Sequence, residues 1–337
     1  FLYYGNGEEM SINYNDALSS YEWKGKVGMD EEEDSESVIE EKTRELATLI
    51  QQCKCLVIVV GAGVSTAAGI ADFRGPNGVW TQEKSGGKAE SVDFLQAHPT
   101  FSHMAITALE RAGLVKWLIS QNVDGLWCRS GFPMDRLAEL HGNVFCEMCN
   151  KCRRKYYRDF AIPTVGGKET GRSCEGNKQR RPCRGKLVDV TLDWESELPE
   201  PEYSLSCKFS AEADLLLCLG TSLQIVPVGN FPLSTKKRGG KFVTVNLQKT
   251  KHEKKADIAI HGKVDEVMKR VMQHLNIFIN DIKEVPIIEP CLKSNHPLHE
   301  FKKLNSKRPQ KTNENGVEQK RAKEEPSITL DELGDVI

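Results

Sequence analysis

The sequence predicts a Rossmann-like doubly wound α/β domain with a small cysteine-bearing module inserted into it. Apolar runs rich in β-branched residues recur at 55–63, 114–120, 214–220 and 241–247. Runs apolar throughout are how strands buried on both faces of a parallel sheet read. Helix-like stretches such as 99–111 lie between them, and strand alternating with helix is the pattern of a doubly wound sheet. Residues 143–185 break that rhythm with polar, basic, cysteine- and glycine-bearing sequence, so they read as an insert.

Taken in order, the chain opens with an N-terminal extension, 1–37. Met10 reads as its natural start, with 1–9 set apart as non-native, and MDEEEDSES (29–37) reads as a solvated acidic link. Ile39, Leu46, Leu49 and Ile50 then recur at roughly helical spacing. CLVIVVGAG (55–63) is the first strand, and the large domain comprises 38–142 and 186–280. Near its end Val264, Val267, Met268, Val271, Met272 and Leu275 trace one face of a helix. Residues 281–337 carry proline and lysine with little periodicity and are expected to be a disordered tail.

The bulk properties exclude little. A 39% hydrophobic fraction is that of an ordinary globular chain. The apolar run at 56–60 falls well short of the ~18 residues that span a bilayer, and no signal-peptide pattern opens the chain. The expectation is an intracellular protein. A formal net charge of -2 neither favours nor excludes nucleic acid, because 31–41 is acidic and 302–323 mainly basic.

The chemistry sits at strand ends. GAGVSTAAGIADFRGPNGVW (61–80) follows the first strand, where Gly61 and Gly63 allow a tight turn and the approach of a phosphate to the backbone. The spacing is not G-x-G-x-x-G, so a mere tight turn remains an alternative. QNVDGL (121–126), HG (141–142), GTSLQ (220–224) and VNLQ (245–248) each follow an expected strand, where ligands collect in open α/β sheets.

Eleven cysteines in an intracellular chain read better as metal ligands than as disulfides where they cluster. Cys149 and Cys152 form a C-x-x-C knuckle, and Cys174 and Cys183 supply a looser second pair. A lone C-x-x-C could be redox-active or incidental; two pairs in a polar insert favour one structural zinc ion on four thiolates. Such a closed site leaves no position for water, so the metal is assigned to folding the module and not to catalysis. Cys146 is left over, either as a buried thiol or as a substitute for Cys149. Cys53, Cys55, Cys128, Cys207 and Cys218 read as buried or idle thiols.

The motifs GAGVSTAAGIADFRGPNGVW, SQNVDGL, RSGFP, LAELHGN, LDWE, LGTSLQI and VNLQKTKH together resemble the sirtuins, NAD-dependent protein deacylases, over about 10–280. Within that family the chain is most similar to the nuclear class IV, sirtuin-six-type branch, which shares a reduced cofactor loop like that at 81–101. The resemblance implies NAD as co-substrate, bound by Gly61, Ala62, Gly63, Thr66, Asp72, Phe73, Arg74, Trp80, Gln121, Asn122, His141, Gly220, Thr221, Ser222, Asn246, Gln248 and Val264. It implies catalytic roles for His141, Asn122 and Asp124. An isolated histidine at a strand exit is more often structural, and Asp124 could be a helix cap. In the resemblance, His141 is the general base on a ribose hydroxyl, for which a pKa near neutrality suits histidine.

The reaction so implied converts acyl-lysine and NAD to nicotinamide, O-acyl-ADP-ribose and free lysine. The substrate would lie extended in the cleft, between walls at 190–194 and 226–230. Trp194 replaces the Phe-Gly of many sirtuins, which puts the usual substrate rules in question. The branch further implies histone tails and other nuclear proteins, long acyl chains as well as acetyl, and roles on chromatin and in DNA repair. Protein mono-ADP-ribosylation is the alternative reading, and a non-catalytic chromatin-binding protein a distant one. Lys307-Arg308 and the 320–323 cluster resemble a bipartite nuclear-import signal, with contact to nucleosomal DNA as a second use. SITLDELGDVI (327–337) reads as a short partner-docking helix.

Overall fold

The computed structural model describes residues 10–178 and 181–279. The expectations for 1–9, the 281–337 tail, its basic clusters and the terminal SITLDELGDVI lie outside the described residues. The elements run α1 (Met10–Ala17), α2 (Glu36–Gln52), β1 (Leu56–Val60), α3 (Val79–Lys84), α4 (Phe101–Arg111), β2 (Val115–Ser120), α5 (Leu126–Arg129) and β3 (Leu137–Glu139). β4 (Cys146–Cys149), β5 (Lys155–Tyr157), β6 (Glu169–Ser173), β7 (Asn177–Lys178), β8 (Arg181–Pro182) and β9 (Lys186–Asp189) follow. The chain then returns through α6 (Glu202–Glu212), β10 (Leu215–Leu219), α7 (Phe231–Lys237), β11 (Lys241–Val245), β12 (Ile258–Ile260) and α8 (Val264–Leu275).

Six strands form one parallel sheet in the order β12-β11-β10-β1-β2-β3. The chain builds outward from β1 to β3, crosses back, and builds the other half from β10 to β12. Strand order therefore reverses between β1 and β10, and a crevice opens beyond their carboxyl ends. The apolar runs explain why these strands are central. Leu56, Ile58, Val60, Leu215, Leu217 and Leu219 face one core with Leu46 and Ile50 of α2, Ile106 and Leu109 of α4, and Val267, Met268 and Val271 of α8. The alternate residues Val57, Val59, Leu216 and Cys218 are buried too. On that side α6 and α7 pack together and against the sheet, with Trp117 of β2 donating from Nε1 to Ser206 Oγ at 3.1 Å and its ring tilted against that of Phe209.

A second, antiparallel sheet has the order β5-β4-β9-β6. Its third strand, residues 186–189, lies just past the 143–185 read from the sequence as the small module and pairs with both β4 and β6. Glu147 sits opposite Asp189 and Cys149 opposite Leu187. Two acidic features are also more ordered than a solvated link. Glu32 N–H donates to Leu247 O (3.0 Å) and Asp34 N–H to His261 O (2.8 Å), tying 32–34 to the loops after β11 and β12. Asp34 also takes Lys42 Nζ at 2.7 Å.

Candidate active site and metal centre

A cavity of about 290 Å³ lies at the carboxyl ends of β1, β2, β3, β10 and β11. The ladder continues one residue past each strand and fixes the loops there. Gly61 N–H donates to Leu219 O, Gln121 N–H to Val60 O, Leu140 N–H to Ser120 O and Gly220 N–H to Val245 O, all at 2.9–3.1 Å. Gly61, Gly63 and Gly220 interlock. A Cβ on Gly61 would lie 2.7 Å from Gly220 O, one on Gly63 2.7 Å from Gly220 Cα, and Gly220 itself has φ +57°. Only bare backbone fits where the two loops meet.

The side chains around this cradle form one network. Asn122 Nδ2 donates to Gly61 O (3.0 Å) and to Ser65 Oγ (3.2 Å), while Ser65 Oγ donates to Asp124 Oδ2 (2.6 Å). Asp124 Oδ1 also accepts Leu126 N–H at 3.0 Å, just ahead of α5, whose N-cap is Gly125. Burial raises the Asp124 pKa, and those hydrogen bonds only partly offset it. Thr221 Oγ1 donates to Gln121 Oε1 at 2.9 Å, bridging the loops after β10 and β2.

His141 stands at the exit of β3 and lines the same cavity. Burial lowers its pKa to about 4, with the Gln121 backbone hydrogen bond opposing and the Arg74 charge assisting. The imidazole is therefore neutral at pH 7 and able to accept a proton. Leu192 N–H donates to His141 O at 3.0 Å, and Gly142 at φ +91° packs on the backbone of Val190 and Thr191. The strand leaving the small sheet is thus pinned to the histidine turn.

Asp72, Phe73, Arg74 and Trp80 form the loop side of the cavity. Asp72 accepts Gly75 N–H at 3.1 Å. The Arg74 guanidinium lies 4.5 Å over the Trp80 ring and donates from Nε to Lys24 O. Burial pulls its pKa down to about 10, and its Nη2 is buried without a partner. A half-buried cation with a buried, unused donor beside bare glycine backbone fits a pyrophosphate. Gln248 Nε2 donates to Met29 O and Arg74 O, and Asn246 Nδ2 to Gln248 O.

Of the expected NAD residues, Gly61, Ala62, Gly63, Asp72, Phe73, Arg74, Trp80, Gln121, Asn122, His141, Gly220, Thr221, Ser222, Asn246 and Gln248 line the cavity together, with Asp124. Thr66 and Val264 do not line it. Thr66 is exposed and donates to Gly63 O, closing its own turn; Val264 is the first residue of α8 and joins the apolar core. Sequence reasoning missed Ser65, whose hydroxyl joins Asn122 to Asp124. It also missed the N-terminal segment, in which Tyr14 and Leu18 line the cavity and Tyr21 stacks on Trp194 at 4.4 Å. Nothing in the local pattern of α1 signals that role.

The four cysteines Cys149, Cys152, Cys174 and Cys183 converge so that their sulfurs lie within 4.8 Å of one another. Main-chain N–H groups of Lys151 and Cys152 point at Cys149 Sγ (3.4 Å each), and Gly176 N–H at Cys174 Sγ (3.3 Å). N–H donors around a sulfur favour its thiolate, the form that binds metal. A Cβ on Gly185 would collide with Cys149 Sγ. The group is placed to bind a structural zinc ion, and Cys146, buried and pushed up to about 12 by desolvation, stands outside it.

The Sir2 family model matches residues 87–227. The NAD-dependent protein deacetylase SRT1 of Arabidopsis thaliana is 51% identical over 285 residues, 84% of this chain and 59% of that protein. The NAD-dependent protein deacetylase Sirt6 of Drosophila melanogaster is 48% identical over 279 residues, 82% of this chain and 88% of the relative. The chain belongs to the Sir2 family. It thus spans nearly all of one sirtuin relative and under two thirds of another. Among solved structures, a Sir2 with deacetylated p53 peptide and 3'-O-acetyl ADP ribose superposes with a TM-score of 0.56 at 28% identity, covering 70% of this chain and 99% of that one. Sirtuin membership accounts for the glycine cradle as an NAD site and for the four-cysteine cluster as a zinc site.

Proposed function

We propose that this sirtuin is an NAD-dependent protein-lysine deacylase acting on histone tails and other nuclear proteins. It removes acetyl and longer acyl groups and yields nicotinamide, O-acyl-ADP-ribose and free lysine, with roles on chromatin and in DNA repair. The observation that carries the reading is His141, neutral and half-buried at the end of β3, opening on the same cavity as the Gly61–Gly220 cradle. The relatives' names and the Sir2 structure with its acetyl ADP ribose product support it.

Each residue has a part in that chemistry. The glycine backbones and Arg74 hold the diphosphate. Asn122, locked by Gly61 O and Ser65, and Asp124, locked by Ser65, orient the nicotinamide ribose and exclude water. His141 takes the proton from a ribose hydroxyl and later returns it. Tyr14, Leu18, Ile70, Phe94, Leu192 and Trp194 give the cavity an apolar side, which suits an acyl chain longer than acetyl. The zinc ion would be held by Cys149, Cys152, Cys174 and Cys183 and supply fold, not reactivity.

Mass spectrometry of acetylated and myristoylated histone peptides, with and without NAD, tests the reading. Free lysine with O-acyl-ADP-ribose is the expected product, and no NAD-dependent product on either peptide overturns it. His141→Ala should abolish turnover with zinc content unchanged; loss of zinc would merge the two sites kept apart above.

A further inference from the structure

Behind His141 lies a group of polar side chains that the reaction does not use. The turn from β3 into β4 reads Glu139-Leu140-His141-Gly142-Asn143. Its backbone closes through Gly142 N–H donating to Glu139 O at 3.1 Å. A side-chain bridge closes it a second time: Asn143 Nδ2 donates to Glu139 Oε1 at 2.7 Å. Asn143 is fully buried and its Oδ1 accepts Phe145 N–H at 2.9 Å. The carboxylate of Glu139 therefore clasps both ends of the five-residue segment that carries the histidine.

The clasp faces the small module. From β5, Lys155 reaches across to Glu202 of α6, Nζ to Oε1 at 2.8 Å, joining the small sheet to the large domain. The groups facing Glu139 are Lys155 and Tyr157 on β5, Cys146 on β4, Cys128 on α5, Glu202 on α6 and Asp124 after β2. Desolvation pushes the Cys128 and Cys146 thiols up to about 12 and the Tyr157 phenol higher still, so all three stay neutral. Lys155 then serves both Glu202 and Glu139, with Asp124 adding further negative charge.

We propose that Glu139 is a positioning residue for His141, clasping the catalytic turn through Asn143, and that Lys155 of the small module is the cation that supports this clasp. The proposal rests on the reading of His141 as the base. Burial raises the Glu139 pKa to about 7; Lys155 and the Asn143 hydrogen bond pull it down, Asp124 and Glu202 push it up. An ionised carboxylate accepts more strongly than a protonated one. The turn is thus held firmly above neutrality and loosened below it. Desolvation shifts His141 down to about 4, away from that range.

The test is kcat and KM of the zinc-loaded full chain on acetylated histone peptide with saturating NAD, from pH 6 to 9. Wild-type kcat should rise through an apparent pKa near 7. Glu139→Gln keeps an acceptor for Asn143 but cannot ionise, so it should flatten that limb and lower the plateau several-fold, with KM values unchanged. Lys155→Met should move the limb to higher pH, and Lys155→Arg should restore it. Retention of the wild-type limb in Glu139→Gln overturns the proposal, as does an unshifted limb in Lys155→Met. The Lys155 pair leaves the clasp itself intact, so it decides the matter even where Glu139→Gln does not fold. Full activity of His141→Ala would instead sink the reading of the base, which separates the two failures.

Discussion

At the scale of single residues, backbone freedom and burial decide the site. Gly142 has φ +91°, and a Cβ there would meet Thr191 Cα at 2.7 Å and Val190 O closer still. Gly142→Ala therefore strains the backbone and parts the histidine turn from the strand that leaves the small sheet. The strain alone should cost about 1–3 kcal/mol, read as a lower urea midpoint, with kcat falling alongside it. Gly142→Ala at wild-type stability would show that the turn can relax. Two histidines set a pH dependence. Burial lowers His103 to about 3 and His141 to about 4. Between pH 6.5 and 4 the unfolded chain binds protons at both positions that the folded chain does not, so stability is present at high pH and lost as pH falls. Each histidine contributes about 1.4 kcal/mol per pH unit across that window. Chemical denaturation at stepped pH measures the slope, and His103→Gln should remove its share.

At the scale of elements, the parallel strands are where the energy is concentrated. Leu217 is fully buried in the middle of β10, beside β1 and β11. Leu217→Ala should cost about 2–5 kcal/mol, and a loss under ~1 kcal/mol in equilibrium unfolding would mean the core collapses around the gap. The same burial is why these strands were legible. Residues such as Val57 and Ile58 are apolar on both faces because both faces are covered, and that leaves an unbroken run in the sequence. The glycine loop, Gln121, His141 and Gly220 were legible for a related reason, since strand ends in such sheets are where sites form. β6 carries ETGRS with alternating partial exposure, and β12 is only three residues long. Their strand state comes from a neighbour and not from their own pattern. β9 likewise belongs to the small sheet because Cys149 and Ser173 pair with it. Ser65 was missed because its role is a hydrogen bond across 59 residues, visible only once Asp124 is beside it.

At the scale of the whole molecule, the two sheets have separate sources of stability, but the segment that follows β9 of the small sheet lines the cavity of the large one. The large sheet has its own extended core with α2, α4 and α8. Among the described residues, the small sheet has a cluster of Cys149, Tyr156, Cys174 and Leu187, with Cys152 and Cys183 packed against it. Four of those six residues are the metal site itself, so apolar burial gives the small sheet little support without the metal. Its other internal support is Glu147, fully buried, which takes Arg158 Nε and Arg172 Nε at 2.8 Å each. A buried carboxylate with two arginines helps only while the sheet keeps it in place. Removing zinc should therefore unfold β4, β5, β6 and β9 while the parallel sheet and its helices persist. Far-UV circular dichroism should keep most of its helical signal, and amide exchange should rise first at 146–189. Activity should vanish with those protections, because the strand leaving β9 carries Leu192 onto His141 O and Trp194 onto Tyr21. Readdition of zinc should restore protection and turnover in parallel. Full activity in a chelated protein whose small sheet exchanges freely would break the link between the module and the cavity wall.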